Sequence, residues 1–292
     1  MQQFVYANEG KILLKELEED DKHMIYEMYQ DYDASKWWTS KELNQERYKI
    51  LKEARGKVFG AVLNDSIIGH ADIVMPESKE DPVYLIKLEI HDDYRRRKFG
   101  IELVRYSAII MKELGYQNYV TWPNTDKSKG LYKKVGLKEI RKDPQLQVGI
   151  EERVECQAEK KAKLSILDRP KDLEIIVGCP WGREYTWLKS FKAGANNLID
   201  FKGPYVHRVA YDDLEGIIMV NGKELYIYAP QEAYNNPEFI KELLAYGNNL
   251  AYDTGVKDLK INLRQEIWEQ VKDIDFWEIK LKEKRLEMRM DF

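Results

Sequence analysis

Cysteine, histidine and long apolar runs are all scarce in this chain of 292 residues. Its two cysteines, Cys156 and Cys179, do not have metal-site spacing, and we expect both to be free thiols in a chain without an export signal. No apolar run approaches the roughly 18 residues that span a bilayer. The opening residues lack the basic and then apolar run of a signal peptide. These absences argue against a disulfide scaffold, a metal site and a membrane partner, and predict a cytoplasmic protein.

The charge of the chain is nearly balanced. Lys and Arg total 47 and Asp and Glu total 51, so the formal net charge is -4. A molecule with this charge has no overall field that attracts nucleic acid, and no nucleic-acid partner is predicted. Hydrophobic residues make up 43% and charged residues 34%, which is typical of a globular protein, and the length suits two domains.

The most informative segment runs from residue 84 to residue 137. An apolar strand (84–90) leads into a basic loop (94–100) and then into a helix with a regular apolar face that ends at Gly115. A strand that enters a helix through a tight loop collects unpaired backbone N–H groups and the positive helix end at one point. The segment therefore predicts a site for an anion such as a pyrophosphate.

This loop resembles the cofactor motif of the Gcn5-related N-acetyltransferase (GNAT) superfamily, [Arg/Gln]-x-x-Gly-x-[Gly/Ala] after a strand. Arg95 and Gly100 match its ends, and Lys98 stands where the first glycine is usual. A lysine with positive φ there costs about 1 kcal/mol, which a pairing between its ammonium and a phosphate can offset.

Two further motifs follow the family pattern in the same order along the chain. One is the hairpin over 58–71 with Asn64-Asp65 at its turn. The other is Asn124, then Leu131-Tyr132, then Gly136-Leu137. The resemblance covers about the first half of the chain and implies an α/β fold with a mixed sheet.

The resemblance implies that acetyl-CoA is the cofactor and that the strand, the loop and the following helix bind it. The implied cofactor residues are Leu88, Ile90, Arg95, Arg96, Arg97, Lys98, Phe99, Gly100, Ile101, Asn124 and Tyr132. Asn124 has an alternative role as the N-cap of the helix after it. The basic run also has an alternative interpretation as a nucleic-acid patch, which Asp92 and Asp93 beside it oppose.

Acetyl transfer to an amine needs an acid for the leaving thiolate and a base for the amine. Tyr132 matches the tyrosine that many members of the family use as general acid; the alternative is a packing role. Glu89 is the first candidate for the base, with His91 and His70 after it, and a salt-bridged Glu89 is the alternative.

Trp37 and Trp38 lie where the family usually builds its acceptor pocket, and stacked indoles can hold a cation or an aromatic ring. The alternative for this pair is one tryptophan in the core and one covering it.

The second half of the chain repeats the first faintly. The hairpin over 216–228 and the segment 271–279 follow in the same order as 58–71 and 132–140, but the basic loop between them is missing. We therefore predict an acetyl-CoA-binding GNAT domain over 1–145, a linker over 146–165 and a degenerate GNAT-like domain over 166–292. An unrelated α+β domain is the alternative for the second half.

These observations predict an acetyl-CoA-dependent N-acetyltransferase, a monomer or homodimer that binds one cofactor per chain. Its acceptor is a primary amine of a small molecule or a protein, and the transfer is direct. The rival hypotheses are a non-catalytic acyl-CoA-binding or scaffolding protein, which Lys98 favours, and a nucleic-acid-binding module.

Overall fold

The computed structural model describes residues 2–7, 10–29, 41–178, 182–195 and 203–292. The chain forms two compact units: unit 1 is Met1–Ile140 with Leu286–Phe292, and unit 2 is Arg141–Arg285. The strands are β1 (Gln2–Ala7), β2 (Gly10–Glu16), β3 (Lys57–Leu63), β4 (Ser66–Val74), β5 (Val83–Ile90), β6 (Asn118–Thr121), β7 (Lys138–Gly149), β8 (Glu159–Lys163), β9 (Glu174–Val177), β10 (Tyr205–Tyr211), β11 (Leu214–Asn221), β12 (Glu224–Ala229), β13 (Asp258–Asn262) and β14 (Ile279–Asp291). The α-helices are α1 (Lys22–Met28), α2 (Lys41–Glu53), α3 (Phe99–Glu113), α4 (Asp126–Val135), α5 (Arg183–Ala195), α6 (Pro237–Asp253) and α7 (Gln265–Val271).

Unit 1 is built on a mixed sheet with the strand order β1-β2-β3-β4-β5-β6-β14. Neighbours from β1 to β5 are antiparallel, β5 and β6 are parallel, and the end of β14 is antiparallel to β6. The turn between β3 and β4 has positive φ at both Asn64 (48°) and Asp65 (60°). A type I′ hairpin requires this conformation, which Asn and Asp tolerate, so the predicted turn is confirmed.

Alternating residues along β4 place different helices on the two faces of this sheet. Ala71 and Ile73 belong to a core that includes Leu103 of α3. Between them, Asp72 pairs with Arg47 of α2. Because successive side chains of a strand point to opposite faces, α3 covers one face and α2 the other. The predicted α/β fold with a mixed sheet is confirmed.

Unit 2 has the strand order β7-β13-β12-β11-β10-β8, and β9 pairs with β12. The parallel strands β12 and β13 are joined through α6, as β5 and β6 are joined through α3. Phe239, Leu243 and Leu244 of α6 lie in one core with Ile218 and Ile227 of the sheet. The same strand–helix–strand arrangement therefore occurs in both units.

Residues 146–165, predicted as a linker, form part of the sheet of unit 2. Leu146 and Val148 of β7 are buried and pair with β13, and β8 pairs with β10. The lysines of β8 are exposed on an edge strand, where charge discourages pairing with another chain. The polar composition of this segment therefore reflects an edge strand and not a linker.

The last residues of the chain belong to unit 1, whereas they were predicted to belong to the second domain. Met288 to Asp291 pair with β6, and Met288 is fully buried in the core of unit 1.

Among the described helices, none combines the length and the apolar composition that a membrane span requires.

Candidate functional site

The parallel strands β5 and β6 separate partway along their length. They pair only where Val83–Leu85 meets Tyr119–Thr121; β6 then ends, while β5 continues to Ile90. Over residues 86–90, β5 has no strand partner on its β6 side in the described part of the chain. We call this opening the slot.

A bulge in β5 directs backbone groups into the slot. Asp72 pairs with Lys87 but Ile73 pairs with Leu85, so β5 carries one extra residue. Beyond the bulge, the His91 N–H donates to Ile68 O on the β4 side at 2.9 Å. Since backbone groups alternate along a strand, Leu88 and Ile90 direct theirs away from β4. Both predicted cofactor residues on β5 therefore offer an N–H on the side of the slot, and Leu88 also offers its C=O.

The amino end of α3 provides further free donors beside the slot. The N-cap residue is Lys98, which makes no side-chain cap, and its carbonyl accepts from Ile101 and Glu102. The N–H groups of Phe99 and Gly100 have no helical acceptor, as for the first residues of any helix. They lie at the positive end of the helix dipole, where an anion is stabilised.

The absence of a side chain at Gly100 allows β5, the start of α3 and α4 to approach one another closely. A Cβ at this position would lie 3.0 Å from Leu131 Cδ1, 3.5 Å from Ile90 Cγ1 and 3.6 Å from Leu88 Cδ2. Residues of the loop motif and of the Leu131-Tyr132 motif, which are separate in the sequence, therefore come together around Gly100. The arrangement fits an acyl-CoA, because anion donors adjoin the slot and its hydrogen-bonding edge.

The four basic residues of the loop differ in their contacts within the protein. Arg95 forms ion pairs with Glu89 (2.7 Å) and Asp92, and its Nε donates to Ile90 O at 3.0 Å. Arg95 thus attaches the loop to β5. Arg96, Arg97 and Lys98 are exposed, and Arg97 lies over the Tyr94 ring, 5.6 Å from its centre. Exposed cations of this kind suit a phosphate.

Lys98 has φ 70° and ψ 0°, and Arg96 also has a positive φ, 66°. Lys98 therefore adopts the left-handed conformation that a glycine usually takes at such a position. It costs a non-glycine residue about 1 kcal/mol because Cβ approaches the following carbonyl oxygen.

We expect the Lys98→Gly variant to be about 1 kcal/mol more stable than Lys98→Ala, because both lose the ammonium and only glycine relieves the backbone strain. Denaturant unfolding measures the difference. The same pair at Lys49, in the middle of α2, is the control, and there we expect glycine to be less stable than alanine by about 1 kcal/mol. Equal stability of the two Lys98 variants would contradict the strain.

Tyr132 lies on α4, across from the end of β6. It is 6% exposed, and its hydroxyl is hydrogen-bonded to the side chain of Thr121, the last residue of β6. Burial raises the pKa of Tyr132 to about 12, so the phenol keeps its proton at neutral pH. A protonated donor near the slot is what the predicted acid role requires.

Asn124 is exposed and precedes α4 without capping it. The N-cap is Thr125, whose hydroxyl accepts the Ser128 N–H at 3.1 Å. The alternative interpretation of Asn124 as the N-cap is therefore wrong.

On the face of α1 and α2, the buried residues Tyr29, His70 and Asp72 form a cluster with Arg47, which is partly buried. His70 Nδ1 lies 2.7 Å from Asp72 Oδ1, His70 Nε2 lies 2.7 Å from the Tyr29 hydroxyl, and Arg47 Nε lies 3.1 Å from Asp72 Oδ2. Since the carboxylate accepts from Nδ1–H, Nε2 accepts from the Tyr29 O–H. Both nitrogens of His70 are therefore engaged within the protein.

The pKa values in this cluster have opposing causes. Burial lowers the pKa of His70, which keeps the imidazole neutral although Asp72 favours its charged form. Burial disfavours the charge on Asp72, but Arg47 and His70 outweigh it and hold the pKa of that carboxyl below its usual range. The cluster is thus a neutral imidazole beside a buried ion pair.

The register of β4 and β5 aligns this cluster with two charged residues of β5. Asp72 pairs with Lys87 and His70 pairs with Glu89. Glu89, the predicted base, is partly exposed and held by Arg95. The sequence analysis did not identify Lys87 or Asp72 as site residues. The alternation of polar residues, His70 and Asp72 on β4 and Lys87 and Glu89 on β5, could have indicated that they share one face of the sheet.

His91, a predicted alternative base, is engaged by the backbone of the turn after β5. The Asp93 N–H donates to His91 Nδ1 at 3.4 Å, so His91 caps the short turn that leads into the loop. Trp37 and Trp38, the predicted acceptor residues, lie outside the described residues.

The corresponding place in unit 2 is filled. Strand β9 pairs with β12 on the side where β5 is open, and Val177 also bridges to Leu263 after β13. The amino end of α6 is capped, since Asn236 Oδ1 accepts the Phe239 N–H at 3.0 Å and Pro237 has no N–H. Among the described residues of unit 2, neither the slot nor the free donors of unit 1 recur.

Comparison with known proteins agrees with this geometry. Residues 11–137 match the family model of the acetyltransferase (GNAT) family. Among solved structures, a candidate acetyltransferase from Pyrococcus horikoshii has 14% identity and a TM-score of 0.64, with 99% of this chain and 91% of that chain covered. A GCN5-related N-acetyltransferase from Anabaena variabilis has 11% identity and a TM-score of 0.64, with 95% and 72% covered. One from Sphaerobacter thermophilus has 10% identity and a TM-score of 0.55, with 98% and 97% covered.

At these identities the structural likeness concerns the fold, and it extends over nearly the whole chain. Curated protein sequences give no significant match. The family match, by contrast, falls on the part of the chain that holds the slot, the basic loop and Tyr132. The chain thus carries, over residues 11–137, an acetyltransferase domain of the GNAT family, whose acetyl donor is acetyl-CoA.

Proposed function

We propose that unit 1 transfers an acetyl group from acetyl-CoA directly to a primary amine of a small molecule or a protein. The observation that supports this most directly is the open edge of β5 beside the uncapped amino end of α3. A ligand with a pyrophosphate and an amide-containing arm complements both features at once.

Each part of this ligand has residues suited to it. The N–H groups of Phe99 and Gly100 and the exposed side chains of Arg96, Arg97 and Lys98 suit the phosphates. The backbone groups of Leu88 and Ile90 suit the amide-containing arm and, at its end, the thioester carbonyl. Ile101, in the first turn of α3, and Asn124 complete the proposed cofactor contacts. When bound, the cofactor supplies an acetyl thioester, which is reactive toward a neutral amine.

Two proton transfers accompany the reaction, one from the acceptor ammonium and one to the leaving thiolate. A lysine-like ammonium with a pKa near 10.4 must lose its proton, which costs about 4–5 kcal/mol at neutral pH. Glu89 is the proposed acceptor of this proton because both nitrogens of His70 are occupied and His91 caps a turn. Tyr132 donates a proton from its hydroxyl to the leaving thiolate.

In unit 2, strand β9 occupies the position that corresponds to the slot, and the amino end of α6 is capped. Both features support a single cofactor per chain. The rival hypothesis, a domain that binds acyl-CoA without turnover, makes the same binding prediction and differs only in catalysis.

A screen of primary amines with the full chain and acetyl-CoA separates the two. We expect at least one class of amine to give amine-dependent release of the CoA thiol and a product heavier by one acetyl group. The product is identified by mass spectrometry. Binding of acetyl-CoA without transfer to any small amine or lysine peptide would overturn the transfer and favour the non-catalytic protein.

A further inference from the structure

Lys87 of β5 carries a buried ammonium group. Its Nζ is shielded from solvent and makes no hydrogen bond in the described part of the chain. It lies 4.8 Å from the centre of the Tyr29 ring, on the face of α1 and α2. An ammonium in such a place loses its hydration without a compensating hydrogen bond.

The carboxylates that face Lys87 are committed to other cations. Asp72, opposite Lys87 in the register, is bonded to His70 and paired with Arg47. Glu89, on the same face, is paired with Arg95. Burial, with Arg47 nearby, therefore lowers the pKa of Lys87 to about 7, although Asp72 and Glu89 act in the opposite direction.

We propose that Lys87 binds a carboxylate of the acceptor, so that the substrate class of the proposed acetyl transfer is amines that carry a carboxylate, such as amino acids. This inference rests on the proposed function. A ligand carboxylate provides the charge-assisted hydrogen bond that the described residues do not give to Nζ.

The position of Lys87 distinguishes this anion from the phosphates of the cofactor. The free N–H groups for phosphate are at the amino end of α3, which packs on the opposite face of the sheet. Lys87 precedes Leu88 on β5, so its side chain stands on the α1 and α2 face next to the point where the proposed thioester carbonyl is held. An amine bound there through its carboxylate lies beside the acetyl group.

The test uses two small ligands that differ by the carboxylate, N-acetylglycine and N-methylacetamide. Both are titrated by calorimetry into the full chain loaded with CoA. We expect N-acetylglycine to bind at least about tenfold more tightly. At about pH 8 Lys87 is mostly neutral. Binding of N-acetylglycine at this pH should therefore take up about one proton, which is measured from the dependence of the binding heat on the buffer.

Lys87→Met should abolish both the preference and the proton uptake, whereas Lys57→Met, which removes a lysine paired with Glu16, should keep both. Equal binding of the two ligands by the unmodified chain, or a preference that survives in Lys87→Met, would overturn the proposal. Acetyl-CoA is titrated into the same proteins. Failure of acetyl-CoA to bind defeats the proposed function itself, whereas its binding without a carboxylate preference defeats only this inference.

Discussion

Replacing Tyr132 with phenylalanine should lower kcat by about 100-fold or more, the usual contribution of a general acid. The phenol is buried near the slot, and with a pKa of about 12 it remains a proton donor throughout the neutral range. Phenylalanine keeps the ring and its packing but has no proton to give. Steady-state kinetics with the best amine of the screen measures the effect, and acetyl-CoA binding should change little.

Tyr119→Phe is the matched control. Tyr119 lies on β6, is fully buried, and shares a 2.8 Å hydrogen bond with Ser107. Its hydroxyl belongs to the core behind the slot, so its loss should affect stability but leave kcat near that of the unmodified chain. If Tyr132→Phe were as active as Tyr119→Phe, the acid would have to be another group or solvent.

Replacing Asp72 with alanine should lower the free energy of unfolding by about 3–5 kcal/mol, because it leaves Arg47 without its carboxylate in a buried site. His70 also loses its partner at Nδ1. Denaturant unfolding measures the loss. Glu102→Ala, which removes a partly exposed partner of Arg105, is the control and should cost no more than about 1 kcal/mol.

The effect of Asp72 should also depend on pH in a defined direction. Its pKa in the folded chain is held below that of the unfolded chain, so its contribution is fully present above about pH 4 and is lost as the pH falls further. The difference between the unmodified chain and Asp72→Ala should therefore shrink in acid. A difference that stays constant down to low pH, or a small loss at neutral pH, would contradict a stabilising buried pair.

The parts of the site that could be predicted from the sequence are those fixed by local chemistry. The Asn64-Asp65 turn follows from the tolerance of both residues for positive φ. The strand, basic loop and helix around Arg95 and Gly100 follow from apolar periodicity over a continuous segment. The strain at Lys98 follows from a motif that normally has glycine at that position.

The features that were missed depend on pairing between distant residues. Asp72 faces Lys87 only because of the register of β4 and β5 and the bulge near residue 86, which no local pattern specifies. Strand β9 has four residues, too few for a distinct periodicity, yet it fills the channel of unit 2. Met288 pairs with Thr121 of β6, which is likewise a long-range contact. A prediction that assigns domains by position along the chain cannot find it.

The most direct test of the central claim is a calorimetric titration of the full chain with acetyl-CoA, repeated on Gly100→Trp and Gly149→Trp. At Gly100 a side chain would press on Leu131, Ile90 and Leu88, whereas a Cβ at Gly149 meets nothing within 4 Å. We predict one equivalent bound by the unmodified chain and by Gly149→Trp, and none by a folded Gly100→Trp. Two equivalents, or unchanged binding by Gly100→Trp, would contradict a single cofactor site between β5 and α3.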